Sequence, residues 1–246
     1  MTDSPSFTQF NFTGNYTVSA GAAGATPGSF PLTNAPTFPT PPGLDANGRF
    51  VYHLYQDLLG RQPGPSEADF FGAALDQGAL TQAQVAAFFA NSVEYHAHQV
   101  DQLYVRLLGR HVDAATAALF AAGGGSLGQI EAVILGSDEY FQRHGGTTAG
   151  LLAGLGQDVT GGSLDPGAAG LFQAELASGA PRYQIALQAV GLPQAAVAEA
   201  GRLYQQVLQR PGSGSELLLP AVLIQGGNEA DVILALLLSE EFAQLP

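Results

Sequence analysis

One eight-residue pattern recurs along this chain and constrains its fold more than any other feature. Leu54-Tyr55-Gln56-Asp57-Leu58-Leu59-Gly60-Arg61 returns as Leu103-Tyr104-Val105-Arg106-Leu107-Leu108-Gly109-Arg110 and again, altered, as Leu203-Tyr204-Gln205-Gln206-Val207-Leu208-Gln209-Arg210. A second pattern follows each copy: Ser92-Val93-Glu94-Tyr95, Ser137-Asp138-Glu139-Tyr140 and Ser239-Glu240-Glu241-Phe242. Tyr55 and Tyr104 stand 49 residues apart, while Tyr104 and Tyr204 stand 100 apart, about two periods. A degenerate unit therefore fits between them, with Leu151-Leu152 in its first slot and Leu171-Phe172 matching Phe70-Phe71 and Leu119-Phe120. Four units are expected, at about 47–96, 97–146, 147–196 and 197–246. A helical period of this length belongs to repeat architectures, in which each unit buries its apolar face against its neighbours.

Punctuation inside the units predicts about three helices in each. Thr81 with Gln84 and Ser126 with Gln129 have the spacing of capping boxes, and Asn228 can cap before Glu229. Pro166, Pro181 and Pro193 suit first helical positions. No breaker interrupts the run from Ser92 through His98 to Leu108, so the last helix of one unit is expected to continue into the next.

Residues 1–44 differ from this body. They hold 7 of the 15 prolines and six aromatics, and Asp3 is their one charged side chain. Phe10, Phe12, Gly14, Tyr16 and Val18 alternate with Asn11, Thr13, Asn15 and Thr17, which predicts a half-buried strand at about 7–18. Residues 21–42, rich in Gly and Ala and then in Thr and Pro, read as a semi-rigid extended spacer. The expected fold class is thus mainly α: about four three-helix repeat units over 45–246, preceded by an N-terminal extended or β arm over 1–44.

Composition narrows the chemistry. Eight arginines against 21 Asp and Glu give a formal charge of −13, which argues against nucleic acid as a partner. All eight basic residues are Arg, so Lys-dependent nucleotide binding and Schiff-base chemistry are absent. No cysteine is present, which removes thiol catalysis, disulfides and Cys-based metal sites. No nucleophile elbow, dinucleotide fingerprint or HExxH pattern occurs, and the chain is read as non-enzymatic. No apolar run is long enough for membrane insertion, and no secretory signal is visible at the start.

The LYxxLLGR pattern paired with SxE(Y/F) about 35 residues on resembles a bacterial repeat family catalogued as a domain of unknown function. The resemblance is strong over the first two units and implies modules of secreted and cell-surface proteins, often beside calcium-binding or surface-layer segments. It implies no catalytic residue. A fainter similarity links the motifs to phycobilisome linker domains, which implies scaffolding.

Arg61, Arg110 and Arg210 share their units with Glu94, Glu139 and Glu241, and the third unit lacks both partners. Intra-unit Arg–Glu pairs follow, buried or half-buried, against the alternative that each side chain meets only a helix dipole. His96 and His98 are two apart, facing different directions on a helix, so they do not chelate one ion. No cofactor is expected. Calcium is the one ion the acids suit, with Asp158 and Asp165 as candidate ligands, against a loop whose Asp165 caps the helix at Pro166. Asn11 and Asn15 open two glycosylation sequons.

The arm, through Phe7, Phe10, Phe12, Tyr16 and Val18, is expected to dock, because a strand needs backbone partners that a helical body does not supply. Docking on another copy gives a homo-oligomer or open polymer, while docking on its own body is the alternative. The resulting expectation is a structural protein of the bacterial exterior that self-assembles into a filament or surface layer. A surface-binding module recognising glycan or protein is the second reading.

Overall fold

The computed structural model describes residues 14–20, 28–34, 40–123, 125–227 and 229–245. The chain divides into two units, Met1–Pro39 and Thr40–Pro246. In the first, strand β1 (Gly14–Ala20) pairs antiparallel with β2 (Gly28–Asn34), placing Tyr16 opposite Leu32 and Val18 opposite Phe30. This corrects two expectations. Residues 28–34 of the presumed spacer form a strand, and β1 finds its first backbone partner within its own chain. Phe30 and Leu32 alternate with Ser29 and Thr33, a period-2 signal interrupted by Pro31; proline lacks an amide donor and is accommodated on an edge strand. Phe7, Phe10, Asn11 and Phe12 lie outside the described residues.

Among the described residues the second unit is helical, with four groups of three helices and two further short helices, one after the second group and one after the last. The first group comprises α1 (Ala46–His53), continued by a π-helical stretch at Leu54–Leu58, then α2 (Pro65–Asp76) and α3 (Gln82–Ala90). Next come α4 (Val93–Leu108), α5 (Ala114–Ala122) and α6 (Leu127–Leu135), followed by the short α7 (Asp138–Arg143). The third group is α8 (Thr148–Thr160), α9 (Pro166–Ala177) and α10 (Arg182–Val190). The last is α11 (Pro193–Leu208), a 3-10 turn at Gly214–Leu217 leading into α12 (Leu218–Gln225), then α13 (Glu229–Leu237), closed by α14 (Glu240–Ala243). Local chemistry sets these boundaries. Thr81 and Ser126 close capping boxes with Gln84 and Gln129, and Pro166 and Pro193 open α9 and α11. Pro181 stands one position earlier than expected, as the cap of α10.

Helix α4 runs unbroken across the first unit border, and α11 crosses the last in the same way. The middle border breaks instead. Gly145 and Gly146, both at positive φ, separate α7 from α8.

The packing departs from an open array of sequence neighbours. Units 1 and 4, at opposite ends of the helical sequence, share one core: Phe50, Leu54, Leu58, Val85 and Phe89 pack with Leu203, Val207, Val232, Leu236 and Phe242. Units 2 and 3 share the other, where Leu107, Ile134, Leu135 and Tyr140 meet Leu151, Leu155, Phe172 and Ile185. The long helices thread both. Tyr95 of α4 belongs to the first core and its Val100, Leu103 and Leu107 to the second. Ala195 of α11 lies in the second core and its Leu203 and Val207 in the first. Two side-chain bonds repeat the pattern: Gln206 donates to the Asp57 carbonyl at 3.0 Å, and Arg106 to the Asp158 carbonyl at 2.8 Å. Pairing the end units buries both apolar faces, so neither needs the polar cap that terminates an open solenoid.

Register within unit 3 also needs correction. Helix α8 ends on left-handed Gly161, as the first motif's helix does before Gly60. The degenerate motif is therefore Leu155-Gly156-Gln157-Asp158-Val159-Thr160-Gly161-Gly162, not the slot at Leu151-Leu152. Among the described residues, no helix is long and apolar enough to cross a membrane.

Candidate interaction surface

The two repeated patterns form one mechanical unit. In LYxxLLGR the tyrosine lies under the arginine of the same motif: the guanidinium carbon is 4.7 Å from the ring centroid for Arg61 over Tyr55, 5.1 Å for Arg110 over Tyr104 and 5.4 Å for Arg210 over Tyr204. The glycine ends the helix in the left-handed region at Gly60 and Gly109, where φ is 65°. In SxE(Y/F) the serine oxygen accepts the amide three residues on, from Tyr95, Tyr140 and Phe242. That aromatic side chain is buried in the core each time. The glutamate then clamps the arginine. Arg61 donates to both Glu94 oxygens at 2.5 and 3.1 Å, Arg110 to both of Glu139 at 2.6 and 2.7 Å, and Arg210 to both of Glu241.

These clamps sit at the rim, half-exposed. Two gain a second carboxylate that the motif spacing did not reveal: Glu67 on Arg61 and Glu216 on Arg210. Hydrogen bonds from Arg61 and then from the Gly64 amide draw the Glu67 pKa down to about 2. Arg210, followed by Ser213, does the same to Glu216, also to about 2. Glu139 and Glu241 are lowered chiefly by their arginine bonds. Arg182, the first residue of α10, packs 4.5 Å from the Phe141 ring and pairs with Asp138. The other four arginines are also engaged: Arg49 with the Leu44 carbonyl, Arg106 with Glu131, Arg143 with the Leu108 carbonyl and Arg202 with Glu199.

The calcium candidates are not brought into one oxygen cage. Asp165 spends its carboxylate capping α9, accepting from the Gly167 and Ala168 amides at 3.0 Å. Asp158 accepts from the Tyr140 hydroxyl at 2.8 Å and lies 3.4 Å from His144. No group of three or more His, Asp or Glu suited to a metal gathers among the described residues. Burial lowers the His98 pKa; its ring fills the space beside Gly60, while His96 lies beside Tyr95. Of the arm positions, Asn15, Tyr16 and Val18 fall in β1.

The motif reading missed three groups. His53 and Asp57, buried in the unit 1/4 core at the π-helical stretch, lie 3.5 Å apart, and burial raises the Asp57 pKa. Their i,i+4 spacing was visible, but not their burial. Glu229 at the start of α13 is pushed up to about 7, first by burial and then by Glu199 and Glu131, with Arg202 opposing. The third group is the outward apolar set. Phe70, Leu119, Leu171 and Leu219 hold one position on the second helix of the four units and are 64%, 71%, 53% and 67% exposed. In unit 1 Phe70 joins Phe71, Phe88, Phe89 and Tyr55 around a cavity of about 530 Å³, whose rim carries Arg61, Glu67 and Glu94. The doublets Phe70-Phe71 and Phe88-Phe89 held the signal: adjacent helical residues point about 100° apart, so one ring of each pair faces outward.

A protein family described as a domain of unknown function (DUF4214) matches residues 33–99. The match spans the first helical unit and the start of α4, where both repeated patterns first occur. No curated protein and no solved structure matches the chain.

Proposed function

We propose that this chain is a non-enzymatic structural protein that self-assembles into an extracellular filament or surface layer. The observation that carries the reading is the outward apolar residue that repeats on the second helix of units 2, 3 and 4: Leu119, Leu171 and Leu219. The intramolecular cores do not need these side chains, and covering them against another copy removes apolar surface from water at about 25 cal/mol per Å². The N-terminal hairpin supports the same reading through its backbone. A two-stranded sheet is marginal alone, and the outer edges of β1 and β2 offer rows of donors and acceptors to strands of other copies. Head-to-tail repetition of such contacts gives an open polymer.

Size-exclusion chromatography with light scattering, followed by electron microscopy, tests this on the full chain, on a chain lacking residues 1–44 and on Leu119→Ser/Leu171→Ser/Leu219→Ser. Polymers from the full chain that disappear in both variants are the expected result. If all three are monomeric and bind polysaccharide alike, the protein is a surface-binding module instead.

A further inference from the structure

Units 2 and 3 act as internal controls for the aromatic cavity of unit 1. At the inward positions, unit 1 has Phe71 and Phe89, unit 2 Phe120 and Ile134, and unit 3 Phe172 and Ala189, all apolar. At the outward positions, unit 1 carries Phe70 and Phe88, whereas unit 2 carries Leu119 and Val133 and unit 3 carries Leu171 and Gln188. Units 2 and 3 are therefore built without an aromatic at either of these two outward positions. In unit 1 both rings are nearly two-thirds exposed, at 64% and 63%, and they flank a chain of ring contacts running from Phe70 through Phe71 to Phe88, with centroids 5.1 and 5.6 Å apart.

The rim specifies the sign of what enters. Arg61 uses all five of its N–H groups: Nε on Glu94, Nη1 on Glu67 and the Gln62 carbonyl, and Nη2 on Glu67 and Glu94. It has no donor left for an anion. Two carboxylates around one guanidinium leave a surplus negative charge. Among the described residues Glu94 accepts two bonds, both from Arg61, and its carboxylate lines the cavity half-exposed with acceptor capacity left. The charged groups of the rim thus offer acceptors over an aromatic floor. A second copy of this chain supplies the wrong charge, because its formal charge is −13 and each arginine already has an internal partner.

We propose that the unit 1 cavity binds a cationic apolar peptide segment, whose aromatic side chain stacks on Phe70 and Phe88 while a neighbouring basic group pairs with Glu94. This site is separate from self-association.

Isothermal titration calorimetry on the full chain tests it with three probes: acetyl-Phe-Arg-Phe-Arg-amide, its Gln-for-Arg counterpart and its Ala-for-Phe counterpart. Saturable binding of one copy of the first probe is expected, with the other two at least about tenfold weaker. Phe88→Gln, which installs the residue type unit 3 carries at Gln188, and Phe70→Ala should each weaken the first probe by about fivefold or more, with unchanged thermal melting. Leu119→Ala, on the equivalent face of unit 2, should leave its affinity unchanged. Equal affinity for all three probes, full affinity in Phe88→Gln, or no saturable binding of the first probe would overturn the assignment.

Discussion

Gly60 shows how a single absent atom shapes the repeat. Its φ of 65° favours glycine, and a Cβ there would fall 2.6 Å from the half-buried His98 ring. Gly78 has a similar φ of 67° with open space around it. Gly78→Ala should therefore cost about 1 kcal/mol, from backbone strain alone, and Gly60→Ala about 2 kcal/mol or more, as read by urea denaturation. Equal costs would mean that His98 yields without penalty. The Arg110–Glu139 pair is bidentate but nearly half-exposed, at 48% and 46%. A double-mutant cycle should give a coupling of about 0.5–1 kcal/mol, and none if each side chain answers only to its helix terminus. The spacing of Arg and Glu in the sequence was enough to name these partners. The second carboxylates, Glu67 and Glu216, were not legible, because each lies six residues after its arginine, across a turn whose path only the fold defines.

At the scale of elements, α13 joins the unit 1/4 core through Val232 and Leu236 and sets an acid at its start against other helices. Glu229 faces Glu199 and Arg202 of α11 and Glu131 of α6, and its pKa is raised to about 7, with burial as the largest cause. A carboxyl group whose folded pKa exceeds its unfolded value stabilises the fold fully below the unfolded value, and that contribution is lost as pH rises through the folded one. Glu67 runs the other way: its contribution is complete above the ordinary carboxyl range and is lost as pH falls toward about 2. Thermal melting should accordingly weaken between pH 4.5 and 8 in the wild type. Glu229→Gln should flatten that slope and melt higher than the wild type at pH 8; an unchanged slope would place the titration elsewhere. Helix positions were largely readable from caps and periodicity, as at Thr81, Ser126 and Pro166. The second strand was not, because Pro31 interrupts an alternation that is otherwise regular.

For the whole molecule, the decisive fact is which units pair. Repeat spacing predicts neighbours stacking on neighbours, and nothing in the motifs says that unit 1 closes on unit 4. That pairing arises because α4 and α11 each carry apolar residues into both cores. Phe242 is the sharpest probe of it. It lies 184 residues or more from the Phe50, Leu54 and Leu58 side of its core, is 2% exposed, and packs edge-on to Phe50 with centroids 5.9 Å apart. Phe242→Ala should cost about 3–5 kcal/mol, the usual range for emptying a buried ring site. Native-state hydrogen exchange on this variant is the most direct test of the closed architecture. Protection should fall together in α1, α3 and α13, while α6, α8 and α10 retain theirs; loss confined to α13 and α14, with α1 and α3 unaffected, would contradict the pairing of the two end units.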